Sequence, residues 1–157
     1  MAENPLALLE GTWQGPGHGS YPTIEPFTYD ETVTFTALPG KPVLAYTQRT
    51  TSAMGLPLHA ESGYLRLSGE DRAEFVVAQP TGVTETHTGT ARQDPSGALV
   101  IDLHSTNVGL TPGAKEVSAV TRRLRIDGDE LTYEVGMAAV GQTDTAHLTA
   151  TLRRVTD

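Results

Sequence analysis

The stretch Gly11-Thr12-Trp13-Gln14-Gly15-Pro16-Gly17-His18-Gly19-Ser20-Tyr21-Pro22-Thr23-Ile24 carries a row of glycines at alternate positions. Alternate residues of a strand line the same face, so these glycines leave that face almost without side chains. Because glycine weakens a strand interior, the row predicts that a neighbouring strand, a plug or a flat ligand lies close against it. Trp13, the only tryptophan of the chain, takes the remaining position, and its bulk is expected to close one end of a barrel. The glycines of the row are Gly11, Gly15, Gly17 and Gly19.

The rest of the chain has the alternation and the turn residues of an antiparallel meander. An all-β fold of about ten strands without a long helix is expected, and an up-and-down barrel is favoured over a sandwich because closure removes exposed edges. Asn4-Pro5 ahead of an apolar run predicts a short helical turn at the N-terminus. Residues 107–113 are predicted to be a loop. Strands after the first are predicted near residues 32–36, 43–51, 58–67, 72–79, 83–91, 99–104, 114–126, 130–139 and 143–155.

Length and composition limit the classes of function. A chain of 157 residues with a formal net charge of −8 and no cysteine predicts one domain over residues 1–157, without a nucleic-acid or anionic-membrane partner. The absence of cysteine excludes disulfides, iron–sulfur ligation and thiolate-bound haem. The N-terminal residues lack the pattern of a signal peptide, so we expect a soluble cytoplasmic protein. Arg122, Arg123 and Arg125 are interpreted as solvated, because alternation divides them between two faces.

The first stretch also carries the strongest family resemblance. Its pattern, Gly-x-Trp-x-Gly-x-Gly-x-Gly-x-Tyr-Pro-Thr-Ile, resembles the signature of the nitrobindins, small β-barrel proteins that bind ferric haem. The resemblance implies an up-and-down barrel related to the fatty-acid-binding and lipocalin barrels, with haem b as cofactor. It also implies reversible binding of nitric oxide and isomerisation of peroxynitrite to nitrate, with the iron carrying the chemistry and no catalytic side chain required.

His147 is the residue that the resemblance assigns to the iron. The segment Ala146-His147-Leu148-Thr149-Ala150 is similar to the nitrobindin segment that carries the proximal ligand, and neutral imidazole is a normal ligand of haem iron. Strict alternation, however, places His147 on the face opposite Leu148 and Ala150. Either a bulge turns the histidine inward, or the threonine face lines the cavity and the leucines pack outside.

Four further positions are assigned to the haem pocket by resemblance. His59 lies in Leu58-His59-Ala60-Glu61-Ser62-Gly63-Tyr64 and Gln79 in Ala78-Gln79-Pro80-Thr81-Gly82, both similar to nitrobindin segments. Met137 shares a predicted strand face with apolar residues, which also fits plain core packing. Thr23, in Tyr21-Pro22-Thr23-Ile24, is expected nearest the ligand.

The other titratable residues are predicted to point outward. His87 and His104 are placed on outer strand faces, and His18, in the glycine strand, is interpreted as an ordinary surface or core histidine. The carboxylates of Glu31, Glu61, Glu74, Glu85 and Glu134 are each placed on outer strand faces, so no paired-carboxylate chemistry is predicted.

Two other functions remain open at this point. A metal-free barrel could carry a fatty acid or another hydrophobic small molecule, with Arg49, Arg66 or Arg122 holding its carboxylate. A structural domain with a filled core would use the glycines for closure alone. The chain is expected to be a monomer or a homodimer.

Overall fold

A computed structural model describes residues 4–139 and 141–156. Its ten antiparallel strands follow one another around a closed barrel, and pairing of the first strand with the last completes the closure. This confirms the predicted all-β up-and-down barrel and its short N-terminal helical turn. The elements are a 3₁₀ helix Pro5–Leu9 and the strands β1 Gly11–Tyr21, β2 Ile24–Ala37, β3 Val43–Thr51, β4 Pro57–Leu67, β5 Arg72–Ala78, β6 Val83–Gln93, β7 Leu99–Leu110, β8 Val117–Asp127, β9 Glu130–Ala139 and β10 Thr145–Arg154. None of the described helices has the length and apolarity needed to cross a membrane.

The end of β7 differs from the sequence prediction. Asn107 to Leu110 were predicted to lie in a loop, but they continue β7 and pair with β6, from Thr86↔Asn107 to Val83↔Leu110. The pairing of β7 with β8 stops earlier, at His104↔Thr121. Pairing with one neighbouring strand therefore holds this segment extended against its local turn preference.

Trp13 seals one end of the barrel, as its position in the glycine row predicts. Its side chain is fully buried together with Leu6 and Leu9 of the 3₁₀ helix. The indole Nε1 donates a hydrogen bond to the carbonyl oxygen of Leu9 at 2.9 Å. Outside, the guanidinium of Arg154 lies over the indole ring, with 4.2 Å between Cζ and the ring centroid. This end is called the closed end, and the opposite end, at the β1–β2 turn, is called the mouth.

The glycine row accommodates aromatic rings of the neighbouring strand. A Cβ atom on Gly17 would lie 2.3 Å from the ring of Tyr29, and one on Gly19 would lie 2.2 Å from the ring of Phe27. Gly15 approaches β10 instead, since a Cβ there would lie 2.4 Å from the carbonyl oxygen of Thr151. The side-chain-free face is thus occupied by rings of β2 and by the backbone at the barrel seam.

Candidate functional site

A cavity of about 560 Å³ lies inside the barrel on the mouth side of the apolar core. This volume falls within the range of cofactor pockets, roughly 300–1,000 Å³. His59, Gln79, Met137 and His147 all line the cavity, so the structure brings together four of the five residues assigned by resemblance. Thr23 is exposed in the β1–β2 turn and is not part of the cavity wall. Its contact with a ligand stays a prediction.

A β-bulge turns His147 into the cavity. In the ladder between β10 and β9, Ala146 pairs with Gly136 and Leu148 pairs with Val135, which leaves His147 as the extra residue. An extra residue interrupts the alternation and allows two successive side chains to face the same side. Both His147 and Leu148 therefore line the cavity, while Ala150 and Leu152 further along β10 remain buried. This is the first of the two arrangements that the sequence left open.

The imidazole of His147 is held by β1. Its Nδ1 lies 2.9 Å from the backbone carbonyl oxygen of Ser20, so Nδ1 carries the proton that it donates. The ring of Tyr21 meets the imidazole edge-on, with 5.6 Å between the ring centroids. The Tyr21 hydroxyl in turn donates to the carbonyl oxygen of Met137 at 2.9 Å. These contacts fix the tautomer and leave Nε2 as the nitrogen available to a ligand, an arrangement common among metal-binding histidines.

Arg122 occupies the middle of the barrel between two buried carboxylates. Its Nη1 and Nη2 donate to the two carboxylate oxygens of Glu61 at 2.9 and 3.0 Å. Its Nε and Nη2 donate to Glu85 at 3.2 and 2.9 Å. Burial is the largest influence and raises the pKa of both carboxyl groups, but the Arg122 charge and the hydrogen bonds that the two carboxylates accept together outweigh it and hold both pKa values below their ordinary range. The guanidinium is therefore fully engaged within the protein.

Two histidines and a glutamine donate hydrogen bonds to the two carboxylates that flank Arg122. His59 Nε2 donates to Glu61 at 3.1 Å, and His87 Nε2 donates to Glu85 at 2.7 Å. Gln79 Nε2 also donates to Glu85. His87 is completely buried, and its Nδ1 has no hydrogen-bond partner among the described residues. The pocket residues His59 and Gln79 are thus oriented by carboxylates from deeper in the barrel.

A second polar chain crosses the cavity from β9 to β3. Tyr133 donates to Glu31 Oε1 at 2.5 Å, and Gln48 Nε2 donates to Glu31 Oε2 at 2.9 Å. The hydroxyl of Tyr29 lies 2.7 Å from that of Tyr133. Burial is the main cause that raises the pKa of Glu31 to about 7. We call the two groups together the polar belt, which comprises Tyr29, Glu31, Gln48, Glu61, Glu85, Arg122 and Tyr133.

The polar belt contradicts the prediction that these charges point outward. Glu31, Glu61 and Glu85 are buried, as is His87, and Arg122 lies among them rather than in solvent. The attraction between Arg122 and the carboxylates of Glu61 and Glu85 offsets the free-energy cost of removing these charges from water. Alternation did contain the signal, because each of these side chains falls on the same strand face as apolar neighbours, for example Arg122 with Val120. The predictions of exposed His104 and Glu134 are confirmed, and His18 is exposed as well.

Comparison with known proteins identifies the family. Residues 2–154 match the family model described as "THAP4-like, heme-binding beta-barrel domain". The chain belongs to this family. The chain is also similar to peroxynitrite isomerase 1 of Mycolicibacterium paratuberculosis, which is 53% identical over 150 residues, covering 95% of this chain and 92% of that protein. Peroxynitrite isomerase of Nocardia farcinica is 49% identical over 150 residues, covering 95% and 88%. The crystal structure of Rv2717c from M. tuberculosis superposes with a TM-score of 0.92 at 45% identity, covering 99% of each chain. The resemblance to haem-binding nitrobindin barrels is confirmed.

Proposed function

We propose that this protein binds ferric haem b through His147 Nε2 and isomerises peroxynitrite to nitrate. Family membership supports the haem, and the relatives named peroxynitrite isomerase support the reaction. The observation that carries the proposal is the bulge that turns His147 into the cavity, with its Nδ1 held by the Ser20 carbonyl. Nitric oxide binding at the same position, a cytoplasmic location and a monomeric or homodimeric state stay predictions.

The residues around the cavity fit a haem. The mouth side of the wall is apolar, and its residues include Val117, Val135, Met137 and Leu148, which suit the faces of a porphyrin. A neutral imidazole whose other nitrogen donates to a backbone carbonyl is well oriented to hold an iron, so His147 would be the residue that binds the haem. When bound, the ferric iron supplies the Lewis-acid and one-electron chemistry by which the O–O bond of peroxynitrite rearranges.

The protein's own residues would hold the cofactor, present hydrogen-bonding groups to the substrate and limit the access of water to the cavity. His147 fixes the ligand from one side, and the apolar wall limits the access of water, which strengthens electrostatic interactions inside the cavity. His59 and Gln79 present polar groups to the same cavity from fixed positions, because each donates to a carboxylate of the polar belt. The amide nitrogen of Gln79 carries a second N–H, which suits it to donate a hydrogen bond to a small oxyanion.

The metal-free carrier of a fatty acid is disfavoured by the state of the arginines. Arg122 is the cavity-lining arginine of the described residues, and Glu61 and Glu85 already take its hydrogen bonds. Arg49 and Arg66 are exposed. A fatty-acid carboxylate would therefore enter a cavity whose charged end is rich in acceptors, which is repulsive to an anion.

Titration with hemin tests the proposal. The wild-type protein should develop a stoichiometric Soret band, and His147→Ala should lose it. His104→Ala is the matched control, because His104 is exposed on the outside of the barrel, and it should bind hemin like wild type. Equal binding by His147→Ala would refute the assignment of the ligand.

The reaction is tested with the haem-loaded protein. Stopped-flow mixing with peroxynitrite should show faster decay than with apoprotein, and the nitrate yield should rise at the expense of nitrite. Decay no faster than with apoprotein would exclude the isomerase activity while leaving haem binding intact.

A further inference from the structure

The hydrogen bonds of Tyr133 suit it to lose an electron and a proton together. Its hydroxyl donates to Glu31 Oε1 at 2.5 Å. Since a tyrosine has one O–H, Tyr29 must be the donor in the 2.7 Å contact between the two hydroxyls. All three side chains line the cavity. We propose that Tyr133, with Glu31 as its proton acceptor and Tyr29 as its hydrogen-bonded partner, is a site of one-electron oxidation and nitration by nitrogen dioxide.

Burial explains why the proton needs an acceptor at this position. Desolvation raises the pKa of both Tyr133 and Tyr29, so neither ring offers a phenolate from which an electron could leave alone. The electron can leave only if the phenolic proton moves at the same time. The carboxylate of Glu31 already accepts a hydrogen bond from the Tyr133 hydroxyl, so it is placed to accept that proton. Its pKa of about 7 allows it both to be ionised near neutral pH and to retain the proton.

The chemistry balances with nitrogen dioxide as the only oxidant. One nitrogen dioxide takes an electron from Tyr133 and becomes nitrite, while the phenolic proton passes to Glu31. A second nitrogen dioxide forms a C–N bond with the ring carbon beside the phenoxyl oxygen. The hydrogen on that carbon then moves to the oxygen, which restores the aromatic phenol. Breaking the O–O bond of peroxynitrite yields nitrogen dioxide, so the source of the oxidant rests on the proposed function.

The glycine row makes the pair possible. Tyr29 on β2 and Tyr133 on β9 are separated by β1 and β10. The ring of Tyr29 crosses β1 directly over Gly17, at a distance that a side chain there would not permit. The pair therefore lies across the inner face of the barrel seam and lines the same cavity as His147, so a small uncharged radical formed in the cavity can reach it.

The remaining tyrosines lack this combination. Tyr46 donates to Glu61 at 2.8 Å, but Arg122 keeps the pKa of Glu61 low, which makes it a poor proton acceptor. Tyr21 donates to a backbone carbonyl, which does not accept a proton. Tyr64 is 51% exposed and serves as the internal reference, since oxidants in bulk solvent reach it first.

The first experiment uses the apoprotein and nitrogen dioxide generated by radiolysis of nitrite, so that neither haem nor peroxynitrite is involved. Peptide mass spectrometry then quantifies nitrotyrosine at each position. We expect nitration at Tyr133 to exceed that at Tyr64 by about fivefold or more, against the order of exposure. A preference for Tyr64 in the wild-type protein overturns the proposal without recourse to any variant.

Glu31→Gln tests the proton acceptor. It keeps both tyrosines, and nitration at Tyr133 should fall about fivefold relative to Tyr64. Glu134→Gln, at the exposed position next to Tyr133 on β9, is the matched control and should behave like wild type. An unchanged ratio in folded Glu31→Gln overturns the role of Glu31.

The second experiment mixes haem-loaded protein with peroxynitrite and measures decay and nitration in the same samples. Accelerated decay with nitration confined to Tyr64 overturns this inference and leaves the proposed function standing. Absence of accelerated decay overturns the proposed function, and the radiolysis experiment still decides the fate of Tyr133.

Discussion

His147 Nδ1 lies 2.9 Å from the carbonyl oxygen of Ser20, which ties the bulged residue of β10 to the neighbouring strand β1. Tyr21, the next residue of β1, supports the same imidazole with the edge of its ring. The orientation of the candidate iron ligand therefore depends on the last residues of the stretch that also carries the glycine row. Contacts of this kind around a metal ligand are typically worth a factor of 10–100 in affinity, in order of magnitude.

Tyr21→Ala should accordingly weaken hemin binding about 10–100-fold, because the imidazole loses the ring that packs against it. Tyr21→Phe keeps the ring and should bind within about threefold of wild type, although loss of the hydrogen bond to Met137 costs about 1 kcal/mol of stability. Soret titration measures both, with the exposed Tyr64→Ala as control. Wild-type affinity in Tyr21→Ala would contradict the support that Tyr21 is proposed to give.

Replacement of Arg122 should be strongly destabilising. Arg122→Met leaves Glu61 and Glu85 buried without their counter-charge, a change that typically costs about 3–5 kcal/mol. The loss should shrink as the pH falls, because without Arg122 burial raises the pKa of both carboxyl groups, and their protonation then removes the uncompensated buried charge. Urea denaturation monitored by the fluorescence of Trp13 measures the free energy of unfolding.

Arg123→Met provides the matched control for that experiment. Arg123 is the next residue of β8, and its side chain is 63% exposed. Its Nε lies 3.6 Å from Oδ1 of Asp102. A surface pair of this kind should change stability by no more than about 0.5 kcal/mol. Equal losses in the two variants would contradict the structural role assigned to Arg122.

The strand order and the mouth residues were accessible from sequence because they depend on local signals. Turn residues punctuate the chain at regular intervals, and the segments around His59, Gln79 and His147 resemble known ones. The side to which His147 points was not accessible, because the bulge is created by the register between β10 and β9, which no single segment encodes.

The polar belt was missed for a different physical reason. An isolated carboxylate is costly to bury, so a charged residue in a strand is first placed outside. The compensation comes from Arg122, which is 61 residues from Glu61 and 37 from Glu85 in the chain. Only the closed barrel brings these strands together, and so the pairing is a property of the fold rather than of any segment.

Alanine substitutions of glycines should show whether the glycine row is needed for close packing against Tyr29 or for backbone flexibility. Gly17→Ala forces the Tyr29 ring away from β1, and overpacking of this kind costs about 1–3 kcal/mol. Gly113→Ala is the control, because a Cβ there meets nothing within 4 Å, and its effect should stay within about 0.5 kcal/mol. Thermal and urea unfolding measure both variants. Similar stabilities would show that the row is not held by contact with Tyr29.

Glu31 should make stability depend on pH in a direction unusual for a carboxyl group. Its pKa rises from 4.5 to about 7 on folding, so the folded protein binds this proton more tightly than the unfolded chain. The stabilisation is fully present below pH 4.5 and is lost as the pH rises to 7. At about 1.36 kcal/mol per pH unit, the loss amounts to roughly 3–4 kcal/mol.

The comparison of wild type with Glu31→Gln isolates this contribution. Between about pH 4.5 and pH 7 the unfolding free energy of wild type should fall relative to that of Glu31→Gln, and the difference should then level off. Glu134→Gln, which alters an exposed carboxylate, should show no such shift. A difference that moves in favour of wild type with rising pH would mean that Glu31 is stabilised as its anion.

The seal formed by Trp13 and Arg154 has a practical consequence for handling the molecule. The chain enters β1 and leaves β10 at the closed end, where Trp13 pairs with Arg154, whereas His147 lies towards the mouth beside Ser20. A tether joined before β1 or after β10 would therefore hold the barrel at its closed end. The protein can be attached to a solid support, or to an optical or electrode surface, with its cavity facing freely into solution.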